Sequence, residues 1–181
     1  MSDVCDCFPR LKEITDERER RYRAMPDAPG PEGPMRKNEI RVVSIGNLEE
    51  VVKCKRSGHA FIISEPVDCG GEADAPFPLE YMLGGAVGCF SAVFAFYAAK
   101  LGVPYREMEV VARTYFDVKG HMMPDAPAPG FKKVEMEIHV VSDAPPERLQ
   151  EVQDLALKGC PGMDTLRRPV PIETQLFVKT S

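Results

Sequence analysis

Six cysteines, Cys5, Cys7, Cys54, Cys69, Cys89 and Cys160, carry the widest chemistry this sequence offers. A thiolate can act as nucleophile, metal ligand or redox centre. The N-terminus, MSDVCDCFPR, is acidic and has no apolar stretch of the kind that directs export. The expected compartment is therefore the cytosol, where structural disulfides are rare. No CxxC pair occurs, and His59, His121 and His139 are scattered, so no metal site and no cofactor is expected. Cys5 and Cys7 read as incidental residues of a frayed terminus. Cys54, in a Val-rich strand, and Cys69, in a loop, have no charged neighbours that would trap a thiolate, and both are expected to be dispensable.

Cys89 and Cys160 differ from the rest. Cys89 lies mid-way along an apolar run, with Met82, Gly85, Ala86, Ala92, Val93 and Phe96 as its helical neighbours. Such a cysteine is either a small buried hydrophobe or a shielded reactive thiol. Cys160 directly precedes Pro161, which places it at the N-cap of a new helix. Unsatisfied N–H groups there favour a thiolate and lower the thiol pKa. The competing reading is that Cys160 fills a tight corner between helices.

The elements that must hold these two residues follow from periodicity. Residues 9–25 form a charged surface helix with a narrow stripe of Leu11, Ile14, Tyr22 and Met25. A Pro/Gly linker follows at 26–34, so residues 1–37 read as an appendage whose removal exposes little core. The main domain covers 38–181. Strands are predicted at 39–45, 50–56 and 59–64, with turns at Gly46-Asn47 and Ser57-Gly58. Pro78 opens a long helix in which Tyr81 to Ala99 carry no charge. That length approaches a membrane span. Gly84, Gly85 and Gly88 dilute its hydrophobicity, and the surrounding chain is polar, so a helix buried on all sides is expected instead. A single small domain rarely encloses a helix so completely, whereas two copies can. Strands at 108–118 and 131–142 flank a Pro-rich loop, expected to be mobile, and the second alternates Val134, Met136, Ile138 and Val140 with polar residues. Helices at 145–158 and after Cys160, then a closing strand over 171–179, give the order βββ-α-ββ-αα-β. The fold class is α+β, with antiparallel sheets.

Composition excludes several functions. Lys plus Arg number 23 against 28 for Asp plus Glu, a net charge of −5, which argues against general nucleic-acid binding. The absence of Trp and the presence of only five Tyr argue against an aromatic stacking platform.

The stretch PLEYMLGGAVGCFSAVFAFYAAKLGV, followed by KGCPGMDTLRRPVPIE, resembles the OsmC/Ohr family of osmotically inducible and organic-hydroperoxide-resistance proteins. The resemblance covers about residues 38–179. It implies an intertwined homodimer in which two sheets wrap around the central apolar helices. It also implies a thiol peroxidase: Cys89 attacks an organic hydroperoxide and becomes a sulfenic acid, Cys160 resolves it as a disulfide, and a dithiol donor reduces that disulfide. In the family a carboxylate directly follows the motif proline and an arginine stands in the preceding segment. Here Leu79 follows Pro78, Glu80 comes one place later, and AFIISEPVDCGG contains no arginine. Arg36, Arg41 and Arg56 are nearby but outside that slot. Glu80 sits on the opposite face of the helix from Cys89 and roughly 13 Å along it, so it cannot serve that thiol from the same helix. Arg167 and Arg168, carried by the Cys160 helix, are the candidates for stabilising a thiolate. The alternative function is a non-catalytic dimer that binds a small apolar ligand in a cavity around Cys89, with the 119–130 loop as a lid.

Overall fold

The computed structural model describes residues 8–26, 34–123 and 125–179. Cys5, Cys7 and most of the 26–34 linker lie outside them. Three strands, β1 (Ile40–Gly46), β2 (Glu49–Cys54) and β3 (Ala60–Ser64), pair in sequence order as an antiparallel meander. Val42 lies opposite Val52, and Val51 opposite Ile62. The first turn falls one residue later than its glycine suggests. Asn47 and Leu48 are its two central residues, with φ of 49° and 55°. That pair of positive values is the type I′ geometry that matches strand twist.

Pro78 occupies the first position of α2 (Pro78–Leu101). Gly102 ends it at φ 64°, its N–H donating to the Ala98 and Ala99 carbonyls. A residue with a side chain would be strained there. Ala86, Phe90, Phe94 and Ala98 recur every fourth residue and form the buried stripe of α2. Burying each phenylalanine contributes on the order of 2–3 kcal/mol. Strands β4 (Glu107–Tyr115) and β5 (Lys133–Val141) form a second antiparallel sheet, with Val110 opposite Ile138. A one-turn helix, α3 (Lys119–Met122), stands in the loop that joins them. Helices α4 (Pro146–Gly159) and α5 (Pro161–Arg167) then pack on α2, with Val152, Ala156, Cys160 and Met163 reaching the core.

Two sequence expectations are corrected. Helix α1 (Phe8–Arg23) is docked on α2 rather than loosely appended. Phe8 belongs to the core and meets Tyr105 edge-on at 5.4 Å, while Tyr105 meets Phe94 at 5.6 Å. The contact side of α1 runs through Phe8 and Leu11, whereas Ile14 and Tyr22 face outward. Within one chain only 28% of the most apolar stretch of α2 is buried, which leaves one side of the helix open. The closing strand over 171–179 is not paired in the single chain. Ile172 and Leu176 are each 87% exposed there. A strand needs a neighbour's backbone groups, and alternation alone does not supply them.

Candidate active site

The site is built where the α4–α5 corner meets α2. Cys89 is half-buried, next to the covered stripe of α2 and to its open side, where Gly85, Gly88 and Ala92 are exposed. Cys160 is fully buried. It stands at the N-cap of α5, and its Sγ accepts the Met163 N–H at 3.4 Å. The N-cap position matches the sequence reading, but the predicted lowering of the thiol pKa does not hold. Burial pushes the Cys160 thiol up, the Met163 N–H only partly opposes this, and the neighbouring Cys89 thiol raises it further.

The fold therefore brings Cys89 and Cys160 together. The contact between α5 and α2 is close: a Cβ at Gly162 would stand 3.2 Å from Cys89 Cβ. Both cysteines are free thiols. Such a pair can form a disulfide after one member is oxidised.

The candidate thiolate stabilisers are placed elsewhere. Glu80 Oε2 accepts the Phe77 N–H at 2.9 Å, which ties the carboxylate to the start of α2. Arg167 donates through Nη1 to the Leu157 carbonyl at 2.9 Å. Arg168 pairs through Nε with Asp164 at 2.6 Å, on the exposed side of α5. Acceptors on α4 and α5, the Leu157 carbonyl and the Asp164 carboxylate, thus engage the two guanidinium groups. Cys54 sits on β2, and Cys69 in a single 3-10 turn after β3. Burial, Asp68 and Glu65 push the Cys69 thiol up.

The sequence matches the model of the OsmC-like protein family over residues 71–175. The chain belongs to the OsmC-like family. No curated protein matches it. Solved structures show the same OsmC-like fold at low identity. An OsmC-like protein of Mycoplasma pneumoniae is 16% identical with a TM-score of 0.63, covering 73% of this chain and 88% of its own. An OsmC-like protein of Vibrio cholerae is 13% identical at 0.60, covering 72% and 94%. An organic hydroperoxide resistance protein OsmC of Legionella pneumophila is 16% identical at 0.58, covering 74% and 90%.

Within this OsmC-like domain a groove of about 390 Å³ opens between β5, α4 and α5. Val134, Met136, Leu157 and Leu166 form its apolar wall, with Lys132 and Arg167 beside them. Cys89 is not among the lining residues, so this groove is not the cavity expected around that thiol. Sequence reasoning took Gly159 only as a helix breaker and did not single out Gly162 or Tyr97. Neither glycine takes a positive φ.

Proposed function

We propose that this chain is a thiol peroxidase that reduces organic hydroperoxides, working as a homodimer in the cytosol. The juxtaposition of a half-buried Cys89 and a buried Cys160 at the α2–α5 contact carries this reading. The family membership and the name of the Legionella neighbour agree with it.

The roles follow from exposure. Cys89 is reachable and meets the substrate. Its thiolate attacks the terminal oxygen of R–O–O–H, an S–O bond forms, the O–O bond breaks, and the alkoxide leaves as ROH after taking a proton. Cys89 is then a sulfenic acid. Cys160, shielded from solvent, has Cys89 as its reaction partner. Its sulfur attacks Cys89, the S–S bond forms and water departs with the sulfenic oxygen. An external dithiol restores both thiols and is itself oxidised to a disulfide. The reducing cytosol supplies such donors. The net change is ROOH plus a dithiol giving ROH, water and a disulfide.

Consumption of cumene hydroperoxide in the presence of a dithiol tests this. Turnover is expected in the wild type, with Cys89→Ser at the uncatalysed background. Equal rates in the two proteins would rule out the proposal.

A further inference from the structure

Two glycines flank Cys160, and both press against α2. A Cβ at Gly159 would stand 2.8 Å from Tyr97 Oη and 3.0 Å from its Cε2. A Cβ at Gly162 would stand 3.0 Å from Ala86 Cα, 3.2 Å from the Ala86 carbonyl oxygen and 3.2 Å from Cys89 Cβ. Ordinary carbon–carbon contact lies near 3.5–4.0 Å. The α4–α5 corner thus approaches α2 closely enough that a side chain at either position makes a neighbour shift.

Backbone freedom does not explain these glycines. Gly159 is the last residue of α4 and Gly162 the second of α5, and neither has a positive φ. Glycine inside a helix is a poor choice on propensity alone. Gly84, Gly85 and Gly88 of α2 differ, since an added Cβ at each meets nothing within 4 Å. Among the glycines of α2, α4 and α5, close contact singles out Gly159 and Gly162. A disulfide also tolerates only a narrow separation of its two backbones.

We infer that Gly159 and Gly162 are positioning residues that set the separation of the Cys89 and Cys160 sulfurs. The two contacts have different stiffness. Gly162 meets the α2 backbone, which cannot swing aside, so an added methyl moves α5 outward and takes Cys160 with it. Gly159 meets the far end of the Tyr97 ring, which can turn. Gly162 therefore governs the spacing more strongly. The inference rests on the peroxidase reading only for its use in turnover, because the spacing itself is measurable without hydroperoxide.

The test equilibrates the full chain in glutathione buffers and maps the Cys89–Cys160 disulfide by mass spectrometry after acid quench. Two thiols are oxidised to one disulfide while one oxidised glutathione becomes two reduced molecules. A displacement of a few tenths of an ångström in Gly162→Ala is expected to lower the equilibrium constant about 10-fold, and a larger one in Gly162→Val about 100-fold. Gly159→Ala is expected to fall between Gly162→Ala and wild type. Gly130→Ala, with open space around it, is expected to match wild type. The displaced packing is expected to lower the melting temperature of Gly162→Ala as well, so the disulfide constant is read well below the melting range of both proteins, where it reports the spacing alone. If Gly162→Val does not fold, Gly162→Ala decides. A wild-type constant in Gly162→Ala overturns the inference, as does a wild-type protein that forms no such disulfide at any glutathione ratio. A wild-type protein that forms it yet ignores hydroperoxide refutes the peroxidase reading and leaves the positioning role standing.

Discussion

Cys160 is fully buried and Cys89 is not, and that difference assigns the two steps of the proposed cycle. Replacing the resolving thiol leaves the first step intact. Cys160→Ser is expected to accumulate a Cys89 sulfenic acid that dimedone traps, whereas wild type shows little adduct. Equal trapping in both proteins would remove Cys160 from the reaction. The raised Cys160 thiol makes resolution pH-dependent. Its ordinary value is 9.0, and burial lifts it above that. Disulfide closure is therefore expected to speed up as pH rises towards and past 9, read by stopped-flow loss of the Cys89 sulfenic acid. The same shift has a stability sign. The folded state keeps the proton that the unfolded chain releases, so the contribution of this thiol is complete below about pH 9 and declines as pH rises through the folded value. Cys69→Ser is expected to leave hydroperoxide consumption unchanged, since burial and two acidic neighbours hold that thiol protonated. Arg167→Ala and Arg168→Ala are expected to leave hydroperoxide consumption unchanged, because Leu157 and Asp164 hold the two groups.

Helix α1 is an integral part of the packing around α2. Phe8 closes an aromatic chain with Tyr105 and Phe94, Arg18 lies over the Phe96 ring at 5.2 Å, and Glu19 pairs with Lys100. Phe8→Ala is expected to cost about 3 kcal/mol in urea denaturation, the scale for emptying a buried phenylalanine site. A change below about 0.5 kcal/mol, the range of an ordinary surface substitution, would mean that α1 merely rests on the domain. The stripe of Leu11, Ile14, Tyr22 and Met25 marks α1 as a helix; Leu11 packs on the core, but Ile14 and Tyr22 face solvent. Charge-rich helices carry several weak stripes, and only the neighbour decides which one is covered. The β1–β2–β3 meander and the β4–β5 pair were legible because strand alternation and turn residues are local signals. The two cysteines were legible through the Cys-Pro step and the apolar run. The destinations of Arg167 and Arg168 were not, because a long guanidinium takes whichever carbonyl or carboxylate the packing leaves nearby. The roles of Gly159 and Gly162 were hidden for a related reason: a glycine kept for close approach looks, in sequence, like a helix breaker.

One chain leaves surfaces that a second chain can complete. The open side of α2 carries Met82, Gly84, Gly85, Gly88 and Ala92, and the extended 171–179 segment exposes Ile172, Leu176, Phe177 and Val178. Apolar exposure on this scale marks an association surface. Sedimentation is expected to show a dimer at micromolar concentration, and deletion of residues 171–179 to shift it towards monomer or aggregate. A folded wild-type monomer at that concentration would contradict this. The redox account is tested most directly by adding one equivalent of cumene hydroperoxide to the reduced protein and counting thiols with peptide mapping. The account predicts the loss of two thiols per chain, one Cys89–Cys160 disulfide and one equivalent of alcohol. A full thiol count after the addition, or a disulfide that omits Cys89, would contradict it.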